Sequence, residues 1–363
     1  HHAFKFCTLI VSGEGRGPAS SRLAFFIRRF SELTEEARFF TLTPDEFALL
    51  NPNTGNCPIF RSAADAELTK AIYRRVPVLW REGGEGTPPA NPWRLDFKRL
   101  FDMANDSHHF RTEDQLSAEG YRLEGNVFVS AYDRYLPLYE AKMLHQFDHR
   151  FSTYQGATDA QLRMKTLPRC TPAQKADPRF SAQPTYWVRE EIVESAVPHY
   201  PEAIHLALTL GSRTSLQRFL CYWCAGWFIN RDEKKRGQEL LDLAMPFDLD
   251  DKLNSYLRGI TAPHYAAEME ARFPLTDDDV IAIRANLKEP EDIARELVER
   301  FSPKWFLGWR DVCRATDSRT LIASVCPKAA VGDKFLLALS SITPKLRICL
   351  LGAWNSFVGD YVT

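Results

Sequence analysis

Residues 197–303 read as helix almost throughout, and the sequence on either side does not. Runs such as LQRFLCYWCAGWFIN, KRGQELLDLAM and EPEDIARELVER place apolar residues at helical spacing. The flanks carry short strand-like runs between Gly- and Pro-rich turns. That change of pattern sets the expected fold class: an α+β chain of short strands and helices, interrupted by a mainly helical insertion. With 363 residues, 45% apolar and 26% charged, the chain has enough material for packed cores and for two or three domains.

At the N-terminus, FKFCTLIV and RLAFFIRRF are expected to be two strands about the turn SGEGRGPASS. Gly13, Gly15 and Gly17 follow a strand candidate, as in a nucleotide-binding loop, but such a loop opens a helix. Here another apolar β-like run follows, so a turn is favoured. Thr43-Pro44-Asp45-Glu46 has the N-cap, proline and first-turn acids of a helix start. A second helix is expected over Ser62 to Arg75, and a loop over residues 82–92. Further on, Thr112 to Ala118 reads as a short helix and YRLEGNVFV as strand with a turn. Residues 155–183 are polar and proline-punctuated, an ordered loop or partly mobile arm. TLIASVC reads as strand and LLGAWNSFVGDYV as helix. The chain begins without Met and stops at DYVT in mid-pattern, so a fragment of a longer protein is expected.

Eight scattered cysteines do not describe a small disulfide scaffold. Cys221 and Cys224 form a CxxC inside an apolar helical run with no second ligand pair, which favours buried thiols over zinc. No uncharged apolar run of 18 residues and no signal peptide is evident, so a cytoplasmic protein without a membrane partner is expected. The net charge of −1 requires any nucleic-acid surface to be local. From Ala266 to Arg300 ten acids face five bases, a poor surface for nucleic acid. From Ser302 to Arg347 eight bases face three acids. Within that segment Arg310, Arg314, Arg319 and Thr320 offer donors for phosphates and base edges. The alternative is that these arginines pair with Asp311 and Asp317 on a solvated face.

Several stretches occur together and in order: NPNTGNCPIFRSAADAELTKAIYRRVPVL, NPWRLDFKRLFDMANDSHHFRT, YLPLYEAKMLHQFDHRFSTY, TYWVREEIVE, GWRDVCRATDSRTLIASVCPKAAVG and NSFVGDYV. They resemble the C-terminal half of large bacterial N6-adenine DNA methyltransferases, the type IIG restriction–modification enzymes and their relatives in phage-defence systems of the DISARM and BREX kinds. The resemblance covers most of the chain outside residues 197–303. It implies a target-recognition portion, often called a TaqI-like specificity domain, that binds double-stranded DNA. It also implies S-adenosylmethionine as cofactor of the full-length parent. The family's Asn-Pro-Pro-aromatic motif, which presents polar groups and a ring to a flipped adenine, is absent. Asn51-Pro52-Asn53-Thr54 does not replace it, and the glycine-rich cofactor loop is missing too. The chain alone is therefore expected to have neither a catalytic nor a cofactor site. The implied organisation is a terminal piece of the methyltransferase sheet over residues 1–50, recognition domain over 51–196 and 304–363, and a helical insertion over 197–303. That insertion is a candidate docking surface for other defence-system subunits.

The stretch Tyr135 to Tyr154 admits four readings. Asp133, Glu140 and Lys142 echo the PD-(D/E)xK nuclease pattern, in which two carboxylates hold Mg²⁺ and a lysine attends the attacking water. On a helix, His145, Asp148 and His149 would share one face at metal-ligand spacing. The stretch could also be a plain polar helix face with Leu144 and Phe147 turned inward. The preferred reading is nucleic-acid contact through Lys142, His145, His149, Arg150 and Tyr154.

Overall fold

The computed structural model describes residues 7–13, 19–84, 88–197, 201–313 and 317–362. It is an α+β chain that divides into two compact units, one reaching to Leu95 and the other running from Asp96 to Tyr361.

In the first unit, β1 (Ser21–Leu23) pairs antiparallel with β2 (Phe40–Leu42). This is less strand than the sequence promised. No strand forms among residues 7–13, where Leu9, Ile10 and Val11 are exposed, and RLAFFIRRF keeps its extended pairing only at its start. Gly15 and Gly17 lie outside the described residues. The two helices begin where expected. Thr43 caps α1 (Pro44–Leu50) in a reciprocal box with Glu46, and Ser62 caps α2 (Ala63–Arg75). Phe40, Leu42, Leu50, Phe60 and Ala66 form a small core, beside which buried Lys70 is held by Glu46 and Glu67 at 3.0 and 2.5 Å.

The second unit begins within β3 (Leu95–Lys98), followed by α3 (Glu113–Ala118) capped by Thr112. A hairpin follows, β4 (Arg122–Glu124) and β5 (Val127–Val129), turned by Gly125 at φ +66°. The central strand β6 (Arg134–Tyr139) is buried along all but its first residue. The polar arm after it contains two short helices, α4 (Asp159–Arg163) and α5 (Pro172–Ala176), each with a Thr/Gln capping box. β7 (Trp187–Arg189) and α6 (Glu190–Ala196) precede the helical segment. Beyond it come β8 (Trp305–Arg310), β9 (Ala323–Pro327), β10 (Ala330–Val331) and β11 (Phe335–Ser340). One sheet joins β4, β5, β6 and β10, with β7 also on β6; the other runs β3-β11-β8-β9.

The helical segment comprises α7 (Glu202–Thr209), α8 (Arg213–Ile229), α9 (Lys234–Ala244), α10 (Ala262–Arg272), α11 (Asp277–Ala285) and α12 (Glu291–Phe301). The chain ends in α13 (Pro344–Trp354) and α14 (Phe357–Val362). α8 is the axis of the segment's own core, in which Phe219, Tyr222, Trp223 and Phe228 pack against α7, α9 and α10. Cys221 and Cys224 are buried there, and burial pushes the Cys221 thiol up to about 11 and Cys224 further. They behave as small apolar core residues.

Two glycines allow the helices to approach. A Cβ on Gly226 would lie 2.0 Å from the Ala266 carbonyl oxygen of α10, and one on Gly237 would lie 2.6 Å from Ile229 Cγ1 of α8. Gly226→Ala must therefore push α10 away from α8. Overpacking of this kind costs about 1–3 kcal/mol. Urea unfolding should show that loss, and an unchanged midpoint would contradict so close a crossing.

Candidate nucleic-acid interface

The stretch Tyr135–Tyr154 is not a helix. After β6 it makes a single 3₁₀ turn, Ala141–Met143, and then a tight turn closed by two reciprocal backbone bonds. His145 N–H donates to Asp148 O at 2.8 Å and Asp148 N–H to His145 O at 2.9 Å. His145, Asp148 and His149 thus do not share a helical face, which removes the geometric basis of the metal reading. No group of three or more His, Cys, Asp or Glu side chains is gathered for a metal among the described residues.

The nuclease pattern is also dispersed. Asp133 precedes β6 and Glu140 follows it, with no hairpin between them. Seven steps of extended chain separate them by roughly 23 Å. Each carboxylate has local partners instead. Asp133 accepts from Tyr121 Oη at 2.7 Å and pairs with Arg189 at 3.3 Å. Glu140 accepts a short bond from Tyr154 Oη and pairs with Lys142 at 3.1 Å.

Most of the proposed DNA-contacting side chains also have partners inside the fold. Lys142 lies 4.9 Å over the Tyr154 ring, closing a triangle with Glu140. Burial, reinforced by Glu140, raises the Tyr154 phenol well above its ordinary value. The Arg150 guanidinium donates to three carbonyls of the polar arm, those of Lys175, Asp177 and Phe180. Arg310 Nε donates to Leu144 O at 3.0 Å. Arg319, with its side chain 16% exposed, pairs with Asp360 and donates to Asn355 O. Thr320 Oγ1 donates to Asp360 O at 2.6 Å. Arg314 lies outside the described residues.

Within the basic segment 302–347 most of the described cations also have a carboxylate or ring partner. Lys304 pairs with Glu299, Lys328 with Glu190 and Glu194, and Lys334 with Asp333, while Arg347 covers the Trp305 ring at 3.8 Å. Asp311 pairs with Arg99 at 2.9 Å, not with its neighbour Arg310.

What the fold does assemble is a cation cluster around half-buried Phe151. The His145 ring stacks on it with centroids 4.5 Å apart. Arg169 lies 5.0 Å from its centroid, Lys175 5.8 Å and Arg310 5.9 Å. Three stretches of chain supply these groups: the turn, the polar arm and the end of β8. Lys175 is paired with Asp148 at 2.5 Å, and Asp317 partly offsets Arg310. Arg169 is exposed and has no carboxylate partner among the described residues. Reading the sequence did not single out Arg169 or Lys175, because nothing in the local pattern of the arm says which aromatic it folds against.

The tip of the turn is Gln146 and Phe147. Gln146 Nε2 donates to Leu321 O at 2.9 Å and Phe147 N–H to Ala323 O at 3.3 Å, so the tip is tied to the start of β9. Phe147 is not turned inward as the helix reading required; it is 62% exposed, with φ +57°. The second central position of such a turn favours Gly or Asn, and a side chain there costs about 1–2 kcal/mol.

Burial holds His145 and His149 below the ordinary histidine range, helped at His145 by Arg310 and Arg169 and at His149 by Arg150. An unfolded histidine takes its proton near pH 6.5, whereas these take theirs lower. Between those values the unfolded chain binds more protons, so stability is present above about pH 6.5 and lost on acidification. His205, lowered mainly by burial, adds to the same slope. Urea unfolding from pH 7 to 5 should show falling stability, with a flatter profile for the double variant His145→Gln, His149→Gln. An equal slope in that variant would remove these two residues as its source.

No family model, curated protein or solved structure matches the chain.

Proposed function

We propose that this chain is a double-stranded-DNA recognition module, the specificity portion of an adenine-N6 DNA methyltransferase or type IIG restriction–modification enzyme acting in phage defence. The ordered motifs quoted above support the family. The observation that carries DNA contact is the cation cluster at Phe151, where one exposed arginine, Arg169, has no carboxylate of its own among the described residues. A phosphate is the natural counter-charge for such a group, and arginine matches it with a planar fork of donors. In this reading Arg169 and Lys175 hold the backbone. Arg150, Arg310 and Arg319 act one step back, fixing the polar arm, the turn and the loop before β9. Catalysis and S-adenosylmethionine binding belong to a part of the parent protein that carries the missing motifs. The nuclease alternative has no support in the positions of Asp133 and Glu140.

The test is binding of a 30-base-pair random-sequence duplex, followed by fluorescence anisotropy at several salt concentrations. The chain should bind with an affinity that falls steeply with salt. Arg169→Ala should weaken binding to all sequences alike and reduce the slope of log K against log salt by about 1. An unchanged slope would remove Arg169 as a phosphate contact. No binding at 50 mM salt, a condition that favours phosphate contacts, would sink the DNA reading as a whole.

A further inference from the structure

We infer that Phe147 is a wedge that stacks against the bases of duplex DNA at an opened step. The inference rests on the DNA reading and adds a mode of contact to it. A bulky exposed residue in left-handed backbone gains nothing from the core and strains its turn, and strain of this kind is a mark of a functional contact. The same backbone conformation occurs at Phe26, but there the Arg61 guanidinium covers the ring at 5.2 Å. Phe147 has no ring or cation against it among the described residues.

Its surroundings specify the partner. The two residues that close the turn are the ones that engage the cluster below: His145 stacks on Phe151, and Asp148 pairs with Lys175. The turn that carries the aromatic tip is therefore attached at both ends to the cluster in which Arg169, Lys175 and Arg310 gather on Phe151, and Arg310 also holds the Leu144 carbonyl just before it. An apolar protein partner would have no use for that charge. A nucleic acid offers both complements within one nucleotide, a phosphate for the cations and a base face for the ring. The turn is also held rigidly. Its two reciprocal backbone bonds and the anchors to Leu321 and Ala323 fix where the ring points before DNA arrives. Apolar side chains that enter a base step unstack it and bend the duplex, and a preset wedge loses little freedom on doing so.

The test uses the whole chain and a 30-base-pair duplex in which 2-aminopurine replaces every adenine of one strand. Its emission rises when a base is unstacked. The unaltered chain should raise it on binding. Phe147→Asn suits the left-handed backbone, so it should leave the thermal midpoint unchanged or higher. The same variant should lose about tenfold in affinity, within the range for one base–aromatic stack, and should abolish the emission rise. Phe147→Trp should restore both. Failure of the unaltered chain to bind any duplex would overturn the DNA reading and the wedge together. Normal binding and emission in Phe147→Asn would overturn the wedge alone. A marked fall in the thermal midpoint of Phe147→Asn would show that the ring packs within the fold, which also overturns it.

Discussion

The sheet that leads into the turn is completed from beyond the helical segment by one short pairing: Ala330 and Val331 lie parallel to Leu138 and Tyr139. Gly332 N–H extends it by donating to Tyr139 O at 2.9 Å, and Phe101 N–H donates to Val331 O at 3.1 Å on the way into the same core. These few bonds join chain from before the helical segment to chain from after it. Closing so long a loop is cheaper than it looks, since closure entropy grows with the logarithm of length and each doubling costs only about 0.6 kcal/mol. The ends of the helical segment also meet. Val197 and Phe306 share one core, and Lys328 pairs with Glu190 and Glu194 at the stem. The segment between fills its own core about α8 and asks little of the sheets beyond that stem.

The same junction places the turn after β6 against the strands β8 and β9. Arg310 reaches the Leu144 carbonyl, Gln146 reaches that of Leu321, and the Phe147 amide reaches that of Ala323. Arg150 draws the polar arm onto the other side of the turn. The candidate interface is thus a product of long-range closure. It brings together residues that no window of sequence contains.

What was legible follows from how far each signal reaches. The caps at Thr43, Ser62 and Thr112 were readable because a cap is satisfied three residues away. Thr158 with Gln161 and Thr171 with Gln174 carried the same signal, and the proline-rich composition of the arm hid it. The hairpin at Gly125 was readable for a similar local reason. The turn at residues 145–148 was not, since side chains at i, i+3 and i+4 fit a helical face until reciprocal backbone bonds close a different shape. β10 has two residues and is defined by a partner far away in the chain.

Charge was the least transferable part of the sequence reading, and the reason is general. A count along a window treats neighbours in sequence as neighbours in space. In the basic segment, Lys304, Arg319 and Lys328 find their carboxylates outside the window, at Glu299, Asp360, Glu190 and Glu194. In the acidic segment, Asp279 is held by both guanidinium nitrogens of Arg300 at 2.6 and 2.8 Å, and Glu270 is buried with Arg231 and Asn230. Each of these pairs offsets a charge locally while leaving the composition unchanged. An interface for an anion must be sought where cations outnumber the carboxylates that touch them. That condition is met at Phe151, where Arg169 is left over among the described residues.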